Sequence, residues 1–375
     1  MGVKTIFAVL VLALGYMAYN FFDTLETFKK IPPSDINDSS CEVIDGPVGI
    51  EDFVVYSKEI LIGGSNDNLK LFQLAMYNAT EDGTLVVFNM TSKVLTSEKI
   101  EGFPKEIAFH PHGVYLFKNE FLYVINHAFE KGGERIEVIK VTNSHNKVSF
   151  TYVKSFPLPE TFIGTLNDLA VINENEFYFT TSYYGAFDTK KNNIGCMNTI
   201  TTMLSLFFKI RFTYVYHFNG KITKISNAKG LLLNGITFNP KTNQLYVIDT
   251  LARSVLAYQI DSSAHSSLTL IKSIDIGYGN DNINYDPVTN KIYVAIMGRV
   301  KDFLELADII KKTKKMQIKE MYGGIVTIDA ETFEHSLTLM SKNKMLSISN
   351  GYILNEKNVI VSSCLDRGFM ICKIK

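Results

Sequence analysis

Short runs of β-branched and aromatic residues recur from about residue 50 to the end of the chain, with turn residues between them. Phe53–Tyr56, Thr84–Phe88, Phe121–Ile125 and Arg135–Val141 are typical, and many such runs alternate apolar with polar positions. Their length and alternation predict β-strands with one buried face. Beyond its first residues, the chain therefore reads as an all-β protein.

One unit of this pattern repeats loosely as a strand, an Asx-Pro turn and a second strand. It occurs in Asn234–Asp249 and Asp281–Ala295, with a weaker version in Glu106–Phe117. A period of roughly 45 to 50 residues is typical of propeller blades, and about 300 residues at that period give roughly six blades. We expect a six-bladed β-propeller over residues 31–375, without an internal domain boundary.

Oxygen-bearing side chains stand where several of the predicted first strands begin. Three sets are neighbours in sequence, Glu51-Asp52, Asn167-Asp168 and Asp281-Asn282, while Asn234 stands alone before a glycine. The first strand of a propeller blade lines the central channel, so these side chains would converge there. Carboxylate and amide oxygens without thiolates or imidazoles suit a hard cation such as calcium. The sequence thus predicts a metal site in the channel.

The N-terminal segment differs from the rest of the chain. The stretch from Thr5 to Phe22 is apolar and, at roughly 18 residues, is near the minimum for a membrane span and longer than most signal-peptide cores. A small-residue cleavage site near Gly15 would cut inside this run. We favour an uncleaved signal-anchor helix, within a leader and linker of residues 1–30, over a removed signal peptide. If the leader is cleaved, the protein is secreted.

Three N-glycosylation sequons follow the leader, at Asn37, Asn78 and Asn89. Behind a hydrophobic leader they predict a lumenal or extracellular domain, in the endoplasmic reticulum or at the cell surface. The 38 Lys and Arg residues balance the 38 Asp and Glu residues. This neutral balance gives no indication of a nucleic-acid partner.

Two of the four cysteines, Cys41 and Cys372, bracket the predicted propeller. In an oxidising compartment they could form a disulfide that closes the ring where an N-terminal strand completes the last blade. Closing so long a loop contributes at most about 5 kcal/mol in the chain-entropy model. The alternative is that Cys41, Cys196, Cys364 and Cys372 are all buried thiols, because sequence does not fix pairing.

Two segments interrupt the pattern of predicted β-strands. Thr199–Phe218 is apolar enough for a surface helix that lies on a membrane or covers the site, and Val300–Met321 reads as an amphipathic helix with a basic end. Ordinary packing against the propeller is the alternative for both, and we favour it for the second.

Taken together, these residues resemble the paraoxonase family of calcium-dependent lactonases and arylesterases along the whole chain. Order and spacing agree throughout, although each piece alone is weak. The matching pieces are the hydrophobic leader, Cys41, Gly49–Asp52, Pro111–Gly113, Val124–His127, Leu166–Asp168, Asn234–Ile236, Asp281–Ile283 and Cys372.

The resemblance implies a six-bladed propeller with two calcium ions in its channel. The upper, catalytic ion would be held by Glu51, Asn167, Asn234, Asp281 and Asn282. The lower, structural ion would be held by Asp52, Asp168 and the backbone carbonyl of Val114. His112 would activate water as a general base, and His127 would tune it. Glu51 and Asp52, like Asn167 and Asp168, are adjacent in sequence but would thus bind different ions.

The residues that would form the substrate-facing wall of the active site depart from the family pattern. An Asp-His pair of the family is replaced here by Ser182-Tyr183, and its free cysteine and following histidine are replaced by Ile296 and Met297. The basic helix around residues 301–320 also departs. The metal ligands are retained while the wall differs, so retention of the ligands alone does not establish turnover.

Two hypotheses follow from the resemblance. The first is a membrane-anchored calcium-dependent hydrolase of small aryl esters or lactones. The second is a non-catalytic, membrane-anchored chaperone or accessory subunit that assists assembly of degenerin-type sodium channels, like a nematode branch of the family. Retained ligands and histidines favour the first hypothesis, and the substituted wall favours the second.

Overall fold

The computed structural model describes residues 3–30, 36–67, 82–144, 147–185, 194–313 and 320–374. Within these ranges the sheets form a six-bladed propeller, as the repeats predict. The helices are α1 (Val3–Thr24), α2 (Ile194–Phe208) and α3 (Val300–Thr313), and a short 3-10 helix spans Asp38–Ser40.

Each blade contains four antiparallel strands, and in blades one to five these four follow one another from the channel outwards. Strand β1 (Glu42–Val48) comes first in the chain but belongs to the last blade. Blade one consists of β2 (Ile50–Val55), β3 (Ile60–Ser65), β4 (Thr84–Asn89) and β5 (Val94–Glu98). Blade two consists of β7 (Pro111–Phe117), β8 (Phe121–Ala128), β9 (Gly133–Ser144) and β10 (Lys147–Pro157), with β6 (Ile100–Glu101) added in parallel to β10.

The remaining blades follow the same plan. Blade three consists of β11 (Thr165–Asn173), β12 (Glu176–Tyr183), β13 (Thr213–Phe218) and β14 (Ile222–Gly230). Blade four consists of β15 (Leu233–Asn239), β16 (Gln244–Asp249), β17 (Ser254–Ile260) and β18 (Leu268–Asp275). Blade five consists of β19 (Gly279–Asp286), β20 (Lys291–Gly298), β21 (Tyr322–Asp329) and β22 (His335–Lys342). Blade six consists of β23 (Ile348–Leu354), β24 (Asn358–Ser363), β25 (Arg367–Lys373) and the early strand β1.

The core lies between neighbouring blades. For example, Tyr246 and Ile248 of blade four pack in one buried cluster with Ile283, Ile292 and Val294 of blade five. Burial decreases outwards, since β15 is buried along almost its whole length whereas β18 is mostly exposed. The first strands are therefore rigid supports for side chains that face the channel.

The ring is closed by the two ends of the propeller. Strand β1 pairs antiparallel with β25, and Glu42 lies opposite Ile371. A disulfide joins Cys41 to Cys372 beside this pairing. The predicted pairing of these two cysteines is confirmed, while Cys196 and Cys364 are thiols outside this disulfide.

The predictions of the two helices that interrupt the strands have different outcomes. Helix α3 confirms the helix predicted from Val300, up to Thr313, and residues 314–319 lie outside the described part. The helix predicted over Thr199–Phe218 is wrong at its C-terminal end, because the chain leaves α2 after Phe208 and Thr213–Phe218 is a strand. Alternating burial in that strand shows that its period is two rather than 3.6.

Candidate metal centre and active site

The first strands carry the predicted upper set into one cavity. Glu51 lies on β2, Asn167 on β11, Asn234 on β15, and Asp281 on β19, and all four line a cavity of about 360 Å³. Asn282 is buried beside them and donates from Nδ2 to Oε1 of Glu51 at 2.6 Å. The predicted residues are thus brought together in space.

Strand irregularities aim these side chains. The ladder of each first strand shifts register at the site, as between Leu166 and Leu169 on β11 and between Leu233 and Ile236 on β15. Such bulges redirect side chains at the ends of strands. A Cβ atom at Gly235 would lie 2.7 Å from the Cα of Asn282, so glycine permits two first strands to approach closely at the channel.

Four buried oxygens in this set have no hydrogen-bond partner among the described residues. They are Glu51 Oε2, Asn167 Oδ1, Asn234 Oδ1 and Asn282 Oδ1, and they come from four different blades. A buried polar atom without a partner is costly unless something satisfies it. Carboxylate and amide oxygens that converge in this way fit a calcium ion, and no nitrogen or sulfur ligand is needed.

The electrostatics of the channel point in the same direction. Burial, and then repulsion from Asp281, raises the pKa of Glu51 well above its usual value. Burial raises the pKa of Asp281 to about 7, although a hydrogen bond with Asn234 opposes the shift. Carboxylates this close resist joint ionisation unless a cation neutralises them. The set is therefore suited to a positive ion.

The lower set faces another cavity, of about 280 Å³, which Asp52, Val114 and Asp168 line. Burial raises the pKa of both aspartates, followed by repulsion from Glu51 in the case of Asp52 and from Asp52 in the case of Asp168. Asp52 Oδ2 accepts from the backbone amide of Val114 at 2.7 Å, and Asp168 Oδ2 accepts from the amide of Ile236 at 2.8 Å. Glu51 and Asp52, adjacent in sequence, thus line separate cavities, as do Asn167 and Asp168.

His112 and His127 both line the upper cavity, with ring centroids 4.9 Å apart. Nδ2 of Asn167 lies 3.3 Å from Nε2 of His112 and can only donate, so this ring nitrogen is an acceptor. Burial, and then repulsion from His127, lowers the pKa of His112 well below its usual value. Burial and His110 lower the pKa of His127 to about 3. Both rings are therefore neutral at physiological pH.

Several residues at this site carry no clear signal in the sequence. Oε1 of Glu134 lies 3.2 Å from Nδ1 of His127 and extends the histidine pair into a row of three side chains. On the other side, Ser349 donates to the backbone carbonyl of Glu51 at 2.6 Å, and Asn350 donates to Asp52 Oδ1 at 2.5 Å. The run Asn350-Gly351 repeats the Asn-Gly of Asn234-Gly235, and that similarity is the signal that could have revealed the sixth first strand.

Apolar side chains form the mouth of the upper cavity. Met203 and Leu206 come from α2, Val300 and Phe303 come from α3, and Leu251 completes the rim. Of the residues where the sequence departs from the family pattern, Ser182, Tyr183 and Met297 line the cavity, while Ile296 is fully buried. The cavity is thus polar at its base and apolar at its opening.

Helix α1 ends beside this mouth. Phe21 stacks on Phe207 of α2 with ring centroids 5.1 Å apart, and Asn20 donates to the Phe207 carbonyl at 2.9 Å. Asp23 pairs with Arg253 and with Lys209, each at 3.2 Å. Residues Thr5–Thr24 are long and apolar enough to cross a membrane, and most of this stretch is exposed.

Two of the three predicted glycosylation sites are described by the structure. Asn37 is half-buried and donates from Nδ2 to the carbonyl of Thr338 at 2.8 Å. Asn89 is half-buried at the end of β4, where its Oδ1 accepts from the amides of Thr91 and Ser92. Asn78 lies outside the described residues. Glycosylation at all three remains a prediction.

Fold and channel together define a six-bladed propeller with an oxygen-lined centre beneath an apolar pocket. The family model for arylesterase matches residues 54–314, so the chain belongs to the arylesterase family. It is 24% identical to human serum paraoxonase/lactonase 3 over 288 residues, which is 74% of each chain. It is 22% identical to human serum paraoxonase/arylesterase 1 over 278 residues, or 72% of each chain.

Among solved structures, a luciferin-regenerating enzyme matches with a TM-score of 0.51 and 13% identity, covering 89% of this chain and 95% of the other. A proposed gluconolactonase matches with a TM-score of 0.52 and 12% identity, covering 90% and 92%. At this identity the similarity supports the propeller fold alone.

Proposed function

We propose that this protein is a calcium-dependent hydrolase of lactones or aryl esters. The observation that carries the proposal is the group of four buried, unpartnered oxygens from four blades at the base of the apolar cavity. The family to which the chain belongs is calcium-dependent in general. Two of its relatives are named for lactonase and arylesterase activity, which supports this substrate class.

The cavity suits an uncharged substrate with an apolar portion. Leu206, Leu251 and Phe303 would cover that portion, while its carbonyl lies among the polar side chains at the base. Calcium, held by Glu51, Asn167, Asn234, Asp281 and Asn282, supplies Lewis-acid polarisation of the carbonyl when it is bound. The buried first strands hold these oxygens in place, so the ligand set is oriented before any substrate arrives.

His112 is the proposed general base. Its neutral ring carries the basic lone pair on Nε2, which accepts from Asn167 Nδ2 at 3.3 Å; the attacking water would replace this contact and transfer its proton to Nε2. His127 lies against that ring and is itself held by Glu134, so the row of three side chains positions the base. The lower set of Asp52, Asp168 and the Val114 carbonyl would hold a second, structural calcium ion.

We further propose that α1 remains attached and anchors the protein, with the propeller in the lumen or outside the cell. The apolar mouth beside the end of α1 then faces the membrane, from which lipophilic esters can enter. The intact mass of the purified protein tests whether residues 1–24 are retained.

Hydrolysis of a chromogenic aryl ester and of a lactone by the purified full chain in detergent tests the activity. We expect turnover with calcium, loss of turnover on chelation, and a fall of at least roughly a hundredfold in His112→Gln, as expected for a lost general base. His335→Gln, which changes an exposed histidine of blade five, is the matched control and should keep full activity.

Equal rates in wild type and His112→Gln would refute the proposed base. Absence of any turnover in calcium-loaded, folded protein would refute hydrolysis and revive the channel-assembly hypothesis. That hypothesis gains no support from the relatives described above, whose names refer to hydrolytic activities.

A further inference from the structure

A second group of ligand-type side chains lies far from the channel cavity. Glu176 begins β12 next to the hairpin turn after β11, His217 lies on β13, and His265 lies in the connection between β17 and β18. Glu176 pairs with Asn173, six residues along β11 from Asn167, which is roughly 20 Å at the rise of a strand. This group therefore lies at the opposite end of blade three from the cavity mouth.

The three side chains converge on one point. Nε2 of His217 lies 2.8 Å and Nδ1 of His265 lies 2.7 Å from the same carboxylate oxygen, Oε1 of Glu176. The two imidazole rings meet nearly at right angles, at 77°, with centroids 6.3 Å apart. All three ligand atoms lie within 4.8 Å of one another. Such spacing lets a small ion take the place of the bridging protons.

The surroundings hold these side chains in place. Nδ2 of Asn173 donates to the other carboxylate oxygen of Glu176 at 2.6 Å, which fixes the orientation of the carboxylate. Tyr178 packs against the His217 ring at 4.8 Å, and its hydroxyl donates to the backbone carbonyl of His265 at 2.5 Å. The hydrogen bond from Asn173 is of the kind that orients a ligating carboxylate, while the contacts of Tyr178 restrict the positions of both histidines.

Burial is graded across the group. The side chain of His217 is 2% exposed, that of Glu176 is 15% exposed, and that of His265 is 34% exposed. An ion can therefore enter from the His265 side, which is the side most exposed to water. Burial lowers the pKa of His217 despite the nearby carboxylate, which favours the neutral imidazole that metal binding requires.

The ligand types differ from those in the channel. Two imidazole nitrogens and one carboxylate oxygen are ligands for zinc and related first-row transition metals, whereas the proposed calcium ligands in the channel are all oxygens. Since Glu176 and His217 belong to blade three and His265 belongs to blade four, an ion here would connect two blades.

We propose that Glu176, His217 and His265 form a zinc-class metal site that cross-links blade three to blade four. Binding replaces the protons that bridge the carboxylate and the imidazoles, and the proton of a neutral imidazole moves to its other ring nitrogen, which leaves a lone pair for the metal. The site is separate from the proposed calcium ions and does not depend on hydrolytic activity.

Titration of the full chain with zinc chloride, in detergent and with calcium held at saturation, tests this site. Calorimetry should detect one equivalent of zinc, and zinc should raise the unfolding midpoint. His265→Gln changes the most exposed ligand and should fold normally. We expect it to weaken zinc binding by roughly tenfold or more and to abolish the rise in midpoint, because one of three protein ligands is lost. Glu176→Gln should weaken binding in the same way.

His335→Gln is the matched control, since it removes an exposed histidine elsewhere and should leave zinc binding unchanged. With cobalt in place of zinc, visible absorption from a nitrogen-containing site should appear in wild type and disappear in His265→Gln. The proposal is overturned if wild type binds no zinc at about 100 μM, where even a weak site is occupied. It is overturned equally if His265→Gln and wild type bind zinc with the same affinity.

Discussion

Glu137 is a carboxylate buried in the middle of β9, away from the channel. It accepts hydrogen bonds from Asn126, at 2.9 Å, and from the hydroxyl of Ser155, and Nε of Arg135 lies 4.0 Å away. Burial raises the pKa of Glu137 because it outweighs these favourable contacts. At neutral pH the folded protein thus bears the cost of a buried negative charge.

Glu137→Gln should therefore stabilise the protein at neutral pH but not at acidic pH. A carboxyl whose folded pKa is raised binds more protons in the folded state, so wild type loses stability as pH rises from the ordinary carboxyl pKa through the raised one. Each unit of the shift corresponds to about 1.4 kcal/mol. Glutamine can keep both contacts, with its oxygen towards Asn126 and its amide towards Ser155.

Urea unfolding of wild type and Glu137→Gln between acidic and neutral pH measures the difference. Glu356→Gln, at an exposed position between β23 and β24, is the control and should show no pH-dependent difference from wild type. A Glu137→Gln difference that is the same at every pH would contradict the assignment of a raised pKa.

At the level of residues, the sequence predicts those site residues that lie on the first strands of the blades. Glu51, Asn167, Asn234 and Asp281 were predictable as neighbours because each begins a first strand, and all first strands share the channel. Glu134 was not predictable in this way. It meets His127 across the β8–β9 pair, and any charged residue at a strand start looks the same in sequence.

Among the elements, α2 shows where pattern reading fails. Between α2 and β13 apolar residues alternate with only two charged ones, Lys209 and Arg211, so hydrophobicity alone does not mark the end of the helix. The actual stop is Lys209, whose φ of 55° is left-handed and whose amide bonds to the Ser205 carbonyl at 3.0 Å. This is a common C-terminal capping geometry, but glycine is its usual residue, and lysine gives no such signal.

The contact between α1 and α2 is testable with two adjacent phenylalanines. Phe21→Ala removes the ring stacked on Phe207 and should destabilise α2 locally by about 1 to 2 kcal/mol, from lost apolar burial and lost stacking. Phe22, at 41% exposed, packs edge-on against Phe21 at 5.6 Å but is not part of the stack on Phe207, so Phe22→Ala is the matched control.

Hydrogen exchange of α2 amides in detergent micelles measures this local opening. We expect faster exchange in Phe21→Ala and near wild-type exchange in Phe22→Ala. Equal exchange in the two variants would show that α1 does not hold α2 in place.

For the whole molecule, the repeats were sufficient to predict the number of blades, because each blade buries its faces only against its neighbours. Ring closure could be predicted from the positions of Cys41 and Cys372 at the two ends of the propeller. The arrangement of the mouth of the upper cavity could not be predicted, since α1, α2 and α3 meet there from separate parts of the chain.

Cys41→Ser with Cys372→Ser should lower the free energy of unfolding by a few kcal/mol, and at most by about 5 kcal/mol, because the unfolded chain regains the freedom of a very long loop. Urea unfolding with calcium present measures the loss. Cys196→Ser is the control, since this thiol is exposed and free. A double variant as stable as wild type would mean that the β1–β25 pairing closes the ring unaided.

The shared construction of blade six also governs how the protein is made. Strand β1 leaves the ribosome before the other described strands, but its partner β25 is the last of them in sequence. The first strand must therefore wait for the last one, and the propeller can close only after β25 has been synthesised. A premature stop codon just before residue 367 would spare five complete blades, yet it would leave β1 without its partner. For this gene, a nonsense mutation just before β25 should be nearly as damaging as one in the middle.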